Sequence, residues 1–206
     1  MIITTNEIMR NTADKLLENA NELFFKKKFK DAILLYDEIL KLDAENLNII
    51  NNKGYALSKI KNYDDALSCY NEGLKINPNE KSLLINKIST LRKIGDFQNA
   101  LDTCQLILNK NPSENIVLYH KIRILHLMNK FHESNKICDE ILELYPNNGD
   151  VLFDKSCNFA LLGEDSNCLR SLEMAINISN KFKINARKNN KFESLRANED
   201  FLKLVQ

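Results

Sequence analysis

The side chains with most chemical potential in this 206-residue sequence are three histidines and five cysteines. His120, His126 and His132 crowd into one short stretch, a spacing that raises the question of a metal site. A helical metal pair needs both rings on one face, as a His-x-x-x-His step provides. The step of six from His120 to His126 instead turns a helix by roughly 240°, at about 100° per residue, so the two rings point apart. His132 falls in the next predicted helix. Cys69, Cys104, Cys138, Cys157 and Cys168 form no CxxC pair and are odd in number. They read as small buried apolar side chains of a reducing compartment. No glycine-rich phosphate loop, nucleophile elbow or supported carboxylate pair is present. Catalysis has no residue set to rest on, so no enzyme, cofactor or metal is expected.

Composition excludes further classes. The 29 Lys+Arg residues against 28 Asp+Glu leave a net charge of +1, without the basic excess of nucleic-acid binders. No segment approaches the roughly 18 to 20 uninterrupted apolar residues of a membrane helix. The opening MIITTNEIMR lacks the basic-then-apolar order of a secretory signal. The expectation is a cytoplasmic protein with neither nucleic-acid nor membrane partners.

The elements that would position any site emerge from an internal period of 34 residues. A small residue recurs at Ala32, Ala66, Ala100, Ser134 and Cys168. Four residues later stand Tyr36, Tyr70, Cys104, Cys138 and Leu172. An aromatic recurs at Phe29, Tyr63, Phe97 and Phe131, and Asp165 breaks that series. Apolar positions keep the same step at Leu16, Ile50, Leu84, Leu118 and Leu152, and again at Leu23, Leu57, Leu91, Leu125 and Phe159. Pro78, Pro112 and Pro146 also keep it. Within each period, intervals of three and four (Leu84, Ile88, Leu91; Ala100, Cys104, Ile107) predict two amphipathic helices. Asn77-Pro78-Asn79-Glu80 and Asn111-Pro112-Ser113-Glu114 read as a capping residue, a proline and a Glu at a helix start. Lys53, Lys87, Lys121 and Lys155 are expected to pack their stems and extend their amines to water. One helical pair cannot bury two apolar stripes, so the repeats must stack.

These landmarks resemble the tetratricopeptide repeat. In NKGYALSKIKNYDDALSCYNEGLKINP (52–78), Gly54, Leu57, Tyr63, Ala66, Tyr70, Leu74 and Pro78 occupy the family's signature positions. The resemblance runs from Ala13 to Asn180 and is weakest in the last repeat, where Asp165, Cys168 and Asn180 depart. It implies an all-α fold, a right-handed α-solenoid of helix-turn-helix repeats. The expected organisation is an extension of the first helix (1–12), with a capping box at Thr4 and Glu7, then five repeats (13–46, 47–80, 81–114, 115–148, 149–180). A helical cap (181–206) completes the chain; there the repeat is lost and Phe192, Leu195, Phe201, Leu202 and Leu204 would cover the last apolar face.

The resemblance also implies a function. First helices of such repeats line a concave groove, and repeat position carries its rows onto this chain. One row is Leu17, Asn51, Ile85, Tyr119, Phe153; a second is Asn21, Tyr55, Ser89, Arg123, Cys157. A third is Glu18, Asn52, Asn86, His120, Asp154, with Arg92 and His126 further along. Asn21, Asn52 and Asn86 offer donors and acceptors to an extended backbone. Tyr55, Tyr119 and Phe153 supply rigid apolar area, and Arg92 and Arg123 suit a carboxylate. The candidate binding set is Asn21, Asn52, Tyr55, Ile85, Asn86, Arg92, Tyr119, His120, Arg123 and Phe153. The clamp of chaperone-tail binders would fall on Leu17, Asn21, Asn52, Ser82 and Asn86, where all three cationic positions are neutral; that subtype is not expected. The reading is a non-catalytic interaction module or scaffold that holds a peptide or protein partner in its groove. The alternatives are a structural subunit or self-assembling array that uses its ends or convex face, and, less favoured, an RNA-binding helical repeat.

Overall fold

A computed structural model describes the backbone of residues 5–206 and side chains from Thr12 onward. The expected capping box at Thr4 and Glu7 lies outside the described side chains. The described chain is helical, with no strand. It divides into two compact blocks, Met1–Pro112 and Ser113–Gln206. The N-terminal block holds α1 (Thr5–Phe25), α2 (Phe29–Leu42), α3 (Leu47–Lys59), α4 (Tyr63–Ile76), α5 (Lys81–Ile94) and α6 (Phe97–Leu108). The C-terminal block holds α7 (Asn115–Leu127), α8 (Phe131–Leu144), α9 (Gly149–Leu162), α10 (Asp165–Ile178), α11 (Lys181–Lys188), a 3-10 turn (Asn190–Leu195) and α12 (Glu199–Val205). No described helix is long and apolar enough to cross a membrane.

The small-residue series marks where helices approach most closely. Ala32, Ala66, Ala100, Ser134 and Cys168 are all fully buried, as are Tyr36, Tyr70, Cys104, Cys138 and Leu172 one turn later. Gly54 shows why size matters there: a Cβ on it would lie 2.5 Å from the Tyr70 ring. Each paired-helix turn closes in the same way. Lys27, Lys61, Gly95, Asn129 and Gly163 take positive φ, and the amide of the residue after each donates to the carbonyl of Leu23, Leu57, Leu91, Leu125 or Phe159 at 2.8–3.0 Å. This is the Schellman closure of a helix C-terminus, with the left-handed residue at C′.

Three local readings are corrected. Asn77 does not cap α5: its side-chain oxygen accepts from the Asn79 amide at 3.1 Å and folds the connecting turn. Helices α5 and α7 begin after Glu80 and Glu114, outside the proline turns. Lys53 and Lys155 do not simply extend to water. Lys53 pairs with Asp37 at 2.6 Å and Lys155 with Asp139, so α3 is pinned to α2 and α9 to α8. In the tail, Leu202 is exposed, and Val205 is buried with Phe192, Leu195 and Phe201 against Cys157, Cys168 and Leu172. The tail also keeps one landmark: Ala186, one period beyond Leu152, is fully buried in α11.

Candidate interaction surface

In the N-terminal block, α1, α3 and α5 carry Asn21, Asn52, Tyr55, Ile85, Asn86 and Arg92, all half-buried. Helices α3 and α5 are tied by Asn86 Nδ2, which donates to Asn51 Oδ1 at 2.8 Å. Asn86 therefore commits a donor to its neighbour and keeps its carbonyl oxygen as an acceptor. The Tyr55 ring lies 5.5 Å from that of Phe24, and Lys59 Nζ stands 4.9 Å above the Tyr55 centroid. That cation–π contact stabilises the pair by about 0.5–1 kcal/mol. Lys93 Nζ donates to Ser58 Oγ at 2.9 Å, and Thr90 donates to the same oxygen at 3.2 Å. Burial, then the charges of Lys59 and Arg92, hold the Lys93 amine below its ordinary pKa. Lys93 Nζ itself lies 5.9 Å from the Tyr63 centroid, so the interacting cations Lys59 and Lys93 stand at two different rings, Tyr55 and Tyr63. Lys59 and Lys93 are absent from the sequence-derived set. Extending the Tyr55 face by one turn reaches Lys59, and Lys93 adjoins Arg92.

The C-terminal block treats the same positions differently. Tyr119 and His120 are half-buried on α7, and Arg123 is exposed. The Tyr119 hydroxyl accepts a hydrogen bond from Asn148 Nδ2. Phe153 on α9 stacks on Phe182 at 5.4 Å and tilts against Phe192 at 5.8 Å. Cys157, expected in the Tyr55 row, is buried, and Asn189 Nδ2 donates to its sulfur at 3.7 Å. The chain's own tail engages both residues because the last repeat has no successor to cover its apolar face.

His126 joins a polar network between α7, α8 and α9. One ring nitrogen lies 2.5 Å from Asn158 Oδ1. Asn158 Nδ2 donates to Ser134 Oγ at 2.9 Å and to Asn135 Oδ1 at 2.8 Å. Burial lowers the His126 pKa, against the opposing effect of Asn158. Asp154 is raised by burial, with Arg123, Lys191 and His126 acting in the other direction. Among the described residues, no group of His, Cys, Asp and Glu is placed to hold a metal ion. Burial raises the thiols of Cys69 to about 11 and of Cys157 and Cys168 to about 12, which leaves them poor nucleophiles at neutral pH.

Comparison with known proteins addresses the fold. The family pattern of the tetratricopeptide repeat matches residues 48–80. The chain is similar to a solved structure of MamA from Desulfovibrio magneticus RS-1, at 13% identity over 82% of this chain and 96% of that one, with a TM-score of 0.74. It is also similar to YrrB, described as a TPR protein with an unusual peptide-binding site, at 20% identity over 90% of this chain and 97% of that one, TM-score 0.68. A tetratricopeptide repeat protein from Parabacteroides merdae ATCC 43184 aligns at 15% identity over 94% of this chain and 84% of that one, TM-score 0.70. No curated protein matches the sequence. Residues 48–80 thus carry a tetratricopeptide repeat, and the chain as a whole shares the fold of these solved structures, tandem helix-turn-helix repeats in an α-solenoid.

Proposed function

We propose that the protein is a non-catalytic interaction module whose first-helix face in the N-terminal block holds an extended partner segment bearing a carboxylate. The observation that carries this reading is half-buried Tyr55 beneath Lys59, with Arg92 and Lys59 both acting on the charge of Lys93 and with half-buried Asn52 and Asn86 on the same two helices. Amides satisfy a backbone that no sheet edge or helix supplies, the Tyr55 ring offers apolar area at low entropic cost, and the cations select an acid. Tyr119, His120 and Arg123 form a second contact region on α7. Phe153 acts mainly as the seat of the chain's own tail.

Affinity capture from a native lysate, with wild type and an Asn52→Ala/Lys59→Glu variant in parallel, tests the proposal. A partner retained by wild type and lost by the variant, at unchanged melting temperature, is the expected result. Retention of the same partners by both proteins would move the site elsewhere. A Tyr119→Ala/Arg123→Ala variant separately measures the contribution of α7.

A further inference from the structure

A cleft of about 360 Å³ lies between α4 and α6, with α5 as its floor, lined by Leu67, Asn71, Lys87, Leu91, Asp102 and Leu106 among others. It is formed largely by second helices, on a different set of side chains from the face proposed above. Its composition departs from the chain's own pattern by the loss of three acids and the gain of one. The lysine at this repeat position is paired twice elsewhere, Lys53 with Asp37 and Lys155 with Asp139. At Lys87 the place of that acid is taken by Asn71, as it is by Gln105 at Lys121, and Lys87 forms no ion pair among the described residues. Leu106 stands where Glu38, Glu72 and Glu140 stand in three of the other four repeats, and it is 58% exposed. Asn99, at the same rim, replaces the acids Asp31, Asp65 and Glu133 of other repeats. The acid gained is Asp102, where the other repeats carry Leu34, Ser68, Lys136 and Arg170, and it is engaged by Gln98 Nε2, which donates to it at 2.9 Å.

Loss of acids around a retained lysine, together with a gain of exposed aliphatic surface, is what a site needs to receive an acid from outside. We propose that this cleft docks a partner segment presenting a large aliphatic side chain beside a carboxylate. The aliphatic group rests on Leu67, Leu91 and Leu106, and the carboxylate takes at Lys87 the place that Asp37 and Asp139 hold at their own lysines. The inference is independent of the amide and cation face on α3 and α5.

The test is methyl NMR of the full chain titrated with N-acetyl-leucyl-glutamate amide, with N-acetyl-leucyl-glutamine amide as control. Saturating shifts at the Leu67, Leu91 and Leu106 methyls are expected, with the glutamine probe roughly tenfold weaker for loss of one charge-assisted contact. Asn71→Asp restores an internal acid and should abolish the response while melting no lower than wild type, so unfolding cannot account for the loss. Lys87→Gln should abolish it as well. Absence of shifts, equal response to both probes, or shifts confined to the Tyr55 and Asn86 face would overturn the proposal. Concentration-dependent broadening of these methyls without any peptide would do so too, because a second copy of the chain would then be the occupant.

Discussion

Tyr55 and Cys157 occupy one position of the repeat, three periods apart, and meet opposite fates. In the N-terminal block the position carries a half-buried tyrosine under Lys59. In the C-terminal block it carries a buried thiol beneath Asn189. Phe153 and Ile85 are both half-buried and differ in neighbours: Phe153 packs against Phe182 and Phe192 of the tail. The same helix-pair geometry thus presents an accessible face or part of a core, depending on whether another repeat or the cap succeeds it. A repeat with a successor keeps its first-helix face accessible; the final repeat must surrender part of that face to its cap.

The largest expected effect tests the cap. Phe201 is fully buried in the tail cluster, and Phe201→Ala should cost about 3–5 kcal/mol in urea unfolding. It should also make Cys157 reactive toward a thiol reagent under native conditions. An unreactive Cys157 in that variant would mean that the tail is not what covers it. On the other side of the comparison, Leu84→Ala in α5 should cost about 2–5 kcal/mol without changing Cys157 reactivity. A stability equal to wild type would show that α5 presents a different face from the one described.

The turns allow a smaller test. Lys61 holds φ at +66° where Gly95 holds +83°. A left-handed conformation costs a side-chain-bearing residue roughly 1–2 kcal/mol. Lys61→Gly should therefore raise stability by about 1 kcal/mol, and Gly95→Ala should lower it by a similar amount, both read from chemical denaturation. If Lys61→Gly destabilises, the lysine side chain contributes more to that turn than its backbone strain costs.

The smallest effect concerns pH and separates the blocks, because all three histidines lie beyond residue 112. Burial lowers the His126 pKa, so the unfolded state takes up the proton first as pH falls below about 6.5. The stability of the C-terminal block should decline from there toward the folded value. Asp154 acts with the opposite sign: its raised carboxyl pKa restores stability as pH falls through the folded value, so the His126 effect is best read in an Asp154→Asn background. Amide exchange should show the decline in α7–α10, and His126→Gln should flatten it. An equal decline in α3–α5 would remove the histidine from the explanation.

The helices and their pairing were legible because each landmark is a local choice repeated in phase: Ala66 for close approach, Leu57 and Leu91 for the stripe, a proline after the second helix of the middle repeats. The left-handed turns were only partly legible. Gly95 and Gly163 announce one, but Lys27 and Lys61 do not, since lysine has no preference for positive φ. The Lys53–Asp37 pairing was missed because it joins neighbouring repeats and becomes visible only once helix phases are known. In the tail, Val205 is buried and Leu202 exposed because of how α12 docks on the last repeat, which no short pattern encodes.

Taken alone, the sequence determined the period, the two-helix repeat and the absence of a residue pattern for catalysis, because these depend on side-chain type and spacing. It also indicated that the apolar face of the last repeat requires a cover. The tertiary structure decided which first-helix positions remain accessible, which lysines are paired, and that Lys59 stands over Tyr55 while Lys59 and Arg92 act on the charge of Lys93. Those outcomes depend on distances between helices far apart in sequence, where burial and charge are set by neighbours and not by the residue itself.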